Sequence, residues 1–170
     1  MADRSRSLHG TIQGQAHDDL ECQRRIYFLT GILQLNAADI TQSTVEITID
    51  ATTINTRDPQ RDARLKSADF LDTERFPTLT FKSISVSNKT NGGCALKGDL
   101  TIHGVTGNVT LDVEEMSASH KDPWGNMRIG VSATTQINRK DFGLTWNTAL
   151  KTGGVLVGQV TITLDVEFVK

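Results

Sequence analysis

The chain of 170 residues carries 18 basic and 20 acidic side chains, a formal net charge of −2, so it suits a single domain, residues 1–170, with one core. No block of like charge favours nucleic acid or an anionic surface as partner. Its two cysteines, Cys22 and Cys94, stand apart with no histidine at ligand spacing, so zinc and thiol-redox chemistry lack support and both thiols are expected to be free.

In chain order, the opening "MADRSRSLHGTIQGQ" lacks the apolar stretch of a signal peptide, and no later run approaches the roughly 18 apolar residues of a membrane span. The expected location is therefore the cytoplasm, with the periplasm left open by an atypical start. Residues 18–25, "DDLECQRR", put charge at nearly every position. Such a stretch lines an apolar interior only at a cost of about several kcal/mol.

From residue 30 onward the pattern is a period of two. "STVEITID" sets Val45, Ile47 and Ile49 on one face and Glu46, Thr48 and Asp50 on the other, as a half-buried strand requires. The alternation recurs in "TLTFKSISVS", "GDLTIHG", "GNVTLDVE", "MRIGVSATTQI" and "QVTITLDVEFV", the last placing Val160, Ile162, Leu164, Val166 and Phe168 together. Turn chemistry separates these runs at 88–93, 103–107, 120–126 and 151–154. Between the first two, residues 58–75 are charged and poor in β-branched side chains, with Ala63, Leu65 and Phe70 at helix-like intervals before Pro77. They predict a short helical insertion covering one opening of an antiparallel, all-β sandwich or closed barrel.

Candidate chemistry is sparse. His103 follows Ile102 and precedes Gly104 with no metal-like partner, so it is expected in the barrel wall as a structural or capping residue. Asp122, Arg139 and Asp141 read as turn fixtures, and Trp124 as a lid or turn anchor. Ser83, Ser85 and Ser132 lack a G-x-S-x-G context, and the glycine pairs lie between strands, where glycine serves the turn. No catalytic constellation, metal site or cofactor is indicated.

Three segments, "TINTRDPQRDARLKSADFLDTERFPTLTFKS", "LKGDLTIHGVTGNVTLDV" and "DPWGNMRIGVSATTQINRKDFGLTWN", resemble in order the successive motifs of the YceI-like family, the lipocalin-like polyisoprenoid-binding proteins. The resemblance covers about residues 31–170. It implies an antiparallel lipocalin-like β-barrel of about eight strands, with the helical segment near one end. It further implies an apolar lumen for an isoprenoid lipid such as a prenyl quinone or polyprenyl phosphate, no catalysis, and in many members a homodimer. On this reading Phe81, Phe142, Leu144 and Trp146 line the lumen, with Ile162 and Leu164 opposite; for each, the alternative is that it fills a packed core.

Two departures accompany the resemblance. Arg64 stands where the family pattern R-D-x-H-L has histidine, and residues 1–30 lack the family's first two strand motifs. Back-translating residues 12–28 and reading one nucleotide later permits FKVKHMTISNVNGVFTS, which resembles those strands, so a local frameshift in the coding DNA is the preferred explanation of the mismatch. As written, the first thirty residues predict a barrel opened along one seam.

Three functions follow from different classes. The chain is an isoprenoid carrier, an enzyme using His103, Asp141 and Arg139, or a stress-associated structural barrel without ligand. A lumen of a few hundred Å³ separates the first from the last, and clustering of the three polar residues inside the lumen would favour the second.

Overall fold

The computed structural model describes residues 5–10, 13–17, 25–26, 29–36, 38–55, 57–89, 93–144 and 159–169, with side chains from Leu29 onward. Twelve strands are present among them: β1 Ser5–Gly10, β2 Gln13–His17, β3 Arg25–Ile26, β4 Leu29–Gln34, β5 Thr44–Asp50, β6 Ile54–Asn55, β7 Thr78–Asn88, β8 Cys94–Ile102, β9 Val105–Met116, β10 His120–Lys121, β11 Met127–Asn138 and β12 Gln159–Val169. One helix, α1, spans Pro59–Lys66.

Ten strands form one antiparallel sheet in the order β1-β4-β5-β7-β8-β9-β11-β12-β2, with β10 on β11, while β3 and β6 pair separately. The alternation read from the sequence sets this register. Ile47 on β5 faces Phe81 on β7, and Phe81 faces Leu100 on β8, so each inward residue meets another inward residue. On the outer face five threonines, Thr30, Thr48, Thr80, Thr101 and Thr106, stand in one row across five neighbouring strands. The hydroxyls of Thr101 and Thr106 share a hydrogen bond of 2.8 Å, a cross-strand pair of the kind that steadies a ladder.

The sheet curls into a barrel that remains open. Its path begins at β1 and ends at β2; β1 lies alongside β12 without a ladder between them among the described residues. The seam thus falls between two strands of the first thirty residues, where the sequence lacks alternation. The segment at 18–24 lies outside the described residues.

α1 is shorter than the expected 58–75. Asp58 caps it by accepting hydrogen bonds from the Gln60 and Arg61 amides at 3.0 and 3.2 Å, and Pro59 occupies the first turn, where its missing N–H costs nothing. The helix ends at Ser67, whose hydroxyl donates to the Arg64 carbonyl. Residues 67–76 continue as turns, because Ser67 is extended, with φ −69° and ψ 166°, and Asp72 is left-handed at φ +46° further on. Of the α1 residues Leu65 is the buried one, and it anchors the helix to the barrel.

The hairpin between β8 and β9 is tighter than the 103–107 turn suggested by sequence. Ile102 pairs with Val105, leaving His103 and Gly104 as the two loop residues. Both have positive φ, +54° and +72°, the combination of a type I′ turn.

Candidate functional site

One inner end of the barrel is filled. Here β5 ends, β7 begins, and a short 3-10 turn, Arg139–Phe142, follows β11. Phe142 is only 2% exposed, and a Cβ added to Gly107 would lie 2.9 Å from its ring, so glycine on β9 makes room for the aromatic plug. Leu29, Ala51 and Ile102 are buried in the same region. Phe76 meets the His103 ring edge-on at 4.8 Å, and it would also collide with any side chain at Gly104.

The opposite end is hollow. A cavity of about 80 Å³ lies among Leu33, Val45, Val86, Cys94, Val113 and Phe168, with Leu96, Met116, Val131 and Leu164 half-buried around it. Among the described residues its lining holds no charged side chain, and Ser43 and Thr44 are polar members. Val86, Val113, Ala133 and Cys94 stand here beside larger side chains such as Leu33 and Phe168, and their small volumes leave part of the interior unfilled. Burial raises the Cys94 thiol pKa, partly offset by nearby Lys89, so Cys94 acts as a small apolar side chain. It is a free thiol; Cys22 lies outside the described residues.

Among the described residues the cavity occupies one end of the lumen, and its volume lies below the few hundred Å³ of common small-molecule sites. Of the six lining candidates, Leu164 borders the cavity. Phe81 sits mid-barrel with its ring in the space left by Gly98, where an added Cβ would come within 2.5 Å. Phe142 is the plug of the filled end, while Leu144 and Ile162 pack against the core. Trp146 lies outside the described residues. The sequence reading did not single out the aliphatic ring of Leu33, Val86 and Val113; their inward alternation was the available signal.

His103, Arg139 and Asp141 stand at the rim of the filled end and do not border the cavity. His103 is in the β8–β9 turn instead of the wall, because a left-handed loop position next to Gly104 is what a two-residue hairpin requires. The serines have structural partners: Ser83 accepts the Val45 amide at 2.9 Å, and Ser132 donates to Asp165 at 2.7 Å.

Asp122 organises the β10–β11 loop at the hollow end. It accepts hydrogen bonds from the amides of Trp124 and Asn126 and from the side chains of Asn126 and Arg128 at 2.8–3.1 Å. Burial would raise its pKa, but these bonds, led by that from Arg128, outweigh it and hold the carboxyl well below the usual carboxylate range. Arg128 also reaches Glu167 at 3.0 Å, tying the loop to β12. Arg64 is exposed in the last turn of α1, at the filled end and away from the cavity.

The chain matches the YceI-like domain family over residues 7–168, and it belongs to that family. UPF0312 proteins of Vibrio cholerae serotype O1 are 39% identical to it over 114 residues, which is 67% of this chain and 60% of theirs. A UPF0312 protein of Shewanella baltica is 35% identical over 115 residues, 68% of this chain and 60% of its own. The aligned part therefore spans about 60% of the length of these relatives. Among solved structures, the Campylobacter jejuni YceI protein superposes with a TM-score of 0.76 at 24% identity, covering 88% of this chain and 85% of that one. Burkholderia cenocepacia BcnA gives 0.76 at 15% identity over 93% and 95%. A polyisoprenoid-binding domain from Saccharophagus degradans gives 0.60 at 17% identity over 96% and 97%. These likenesses establish the fold as that of the lipocalin-like YceI barrels.

Proposed function

We propose that this YceI-like protein is a non-catalytic carrier that holds the hydrocarbon tail of an isoprenoid lipid, a prenyl quinone or polyprenyl phosphate, in the hollow end of its barrel. The observation that carries the reading is a cavity of about 80 Å³ whose lining among the described residues is largely apolar and uncharged. Such a lining recognises hydrocarbon and little else, and each buried CH₂ contributes about 0.8 kcal/mol. The polyisoprenoid-binding description of the Saccharophagus degradans neighbour supports the ligand class.

The preformed void takes only part of a prenyl chain. Entry of a longer tail requires the half-buried side chains of Leu96, Met116, Val131 and Leu164 to part, and Leu164 becomes a direct contact. Phe142 at the far end then sets how deep the tail can go. Native mass spectrometry of the purified protein, followed by solvent extraction, tests this reading. Release of a species with an isoprenoid mass is expected. An unliganded mass that persists after incubation with prenyl quinone and polyprenyl phosphate overturns the carrier reading in favour of a solid structural barrel.

A further inference from the structure

We infer that the β10–β11 loop is a membrane-docking element, with Trp124 entering the interface of a lipid bilayer and bringing the mouth of the cavity against it. Trp124 is 80% exposed, the most exposed of the large apolar side chains described. Its exposure is not a sign of a loose loop. The Asp122 carboxylate accepts from its amide at 2.9 Å and from Asn126 two residues on, and Gly125 supplies the φ of +94° that the turn needs. Arg128 then fastens Asp122 to β11 and Glu167 on β12. An indole is held out into solvent on a rigid mount.

The mount stands at the cavity end. Lys121 pairs with Met127 at the rim of the sheet, and two residues further in Ile129 pairs with Phe168, which borders the cavity. Ile40, half-buried and also bordering the cavity, belongs to the β4–β5 connection at that same end.

The surroundings favour lipid over protein. Beside Trp124 in the chain stand Pro123, Gly125 and the exposed His120 and Lys121, so among the described residues of this loop no broad apolar face accompanies the indole. A stable protein interface needs on the order of 1,000 Å² of well-packed area. Trp acts singly at a membrane surface, where its ring sits among the headgroups and its N–H remains hydrogen-bonded. Lys121 beside it suits a surface that carries some anionic lipid. This inference rests on the carrier reading for its purpose, since an isoprenoid tail resides in bilayers and reaches the cavity with least exposure to water where mouth and membrane meet.

The test measures docking and tail binding separately on the full chain. Vesicles of phosphatidylcholine with about a quarter phosphatidylglycerol report docking by co-sedimentation, and a soluble dansyl-farnesyl probe reports tail binding. Trp124→Ala should weaken vesicle binding about tenfold and Trp124→Phe by about threefold, as expected when an interfacial ring is removed or reduced, with probe affinity unchanged in both. Vesicle binding by Trp124→Ala equal to that of the wild type overturns the inference. So does a wild-type dimer that Trp124→Ala converts to monomer, because the indole then serves a second copy of the chain. If vesicle binding depends on Trp124 but no variant takes up the probe, docking stands and the carrier reading fails.

Discussion

The two ends of the barrel are built from the same alternating strands, yet one is solid and the other hollow. At the filled end an aromatic ring, Phe142, enters from a short helical turn beyond β11 and fits against a glycine. At the hollow end the small side chains of Val86, Val113, Ala133 and Cys94 stand among larger ones such as Leu33 and Phe168 without closing the space, and the 35–43 connection contributes Leu35, Ile40 and Ser43. The difference teaches that inward alternation makes a barrel interior, whereas side-chain volume and the identity of the plug decide whether that interior is a core or a site. One end is then packed as a core, and the other keeps a void.

Several substitutions break or sharpen this contrast. Phe142→Ala should have the largest effect, lowering stability by about 3–5 kcal/mol through lost burial and the cavity left behind, read as a shift in urea midpoint; a loss below about 1 kcal/mol would mean that the plug is dispensable. Gly107→Ala presses a methyl group against the Phe142 ring at 2.9 Å and should cost about 1–3 kcal/mol. The matching enlargement at the hollow end, Ala133→Leu, should change stability by less than about 1.5 kcal/mol because the void accepts the added carbons. It should also cut uptake of the farnesyl probe; equal costs at both ends would contradict the contrast.

The smallest effect concerns pH. The folded Asp122 carboxyl has a pKa below its ordinary 3.8, so its bonds stabilise the fold above that value and the contribution fades as pH falls through and below it. The gap in urea midpoint between wild type and Asp122→Asn should therefore narrow between pH ~6 and ~3. A gap that stays constant, or widens, shows that the carboxylate does not hold the loop in this way.

Much of the architecture was legible because period-two patterning is local and strong. "QVTITLDVEFV" corresponds residue for residue to β12, Gln159–Val169, and "STVEITID" covers Thr44–Asp50 with its inward valine and isoleucines as read. The start of α1 was legible in Asp58-Pro59, but its end was not. Helix-like spacing of Leu65 and Phe70 suggested continuation, whereas the extended Ser67 ends the helix between them. His103 was misplaced by about one residue because a two-residue turn and a strand end look alike in sequence. The turn read at 151–154 lies outside the described residues.

The seam has its own test. The path of the sheet begins and ends within the first thirty residues, where a reading shifted by one nucleotide permits a string that resembles the family's first two strands. Sequencing the source locus should reveal a compensating insertion and deletion upstream of Gly31; an intact frame in many independent reads would leave the written residues as the true seam.

By itself the sequence determined the family, the antiparallel strands and the set of side chains that face inward, since each depends on the alternation of near neighbours or on short ordered motifs. Only the tertiary structure decided which inward residues border a void. That outcome depends on which volumes meet across the barrel, and Phe142 and Gly107 are brought together by the fold from positions far apart in the chain. It also decided that Trp124, which the turn motif alone left as a lid or an anchor, stands in solvent at the cavity end, because the Asp122 hydrogen bonds and the β10–β11 register set its direction.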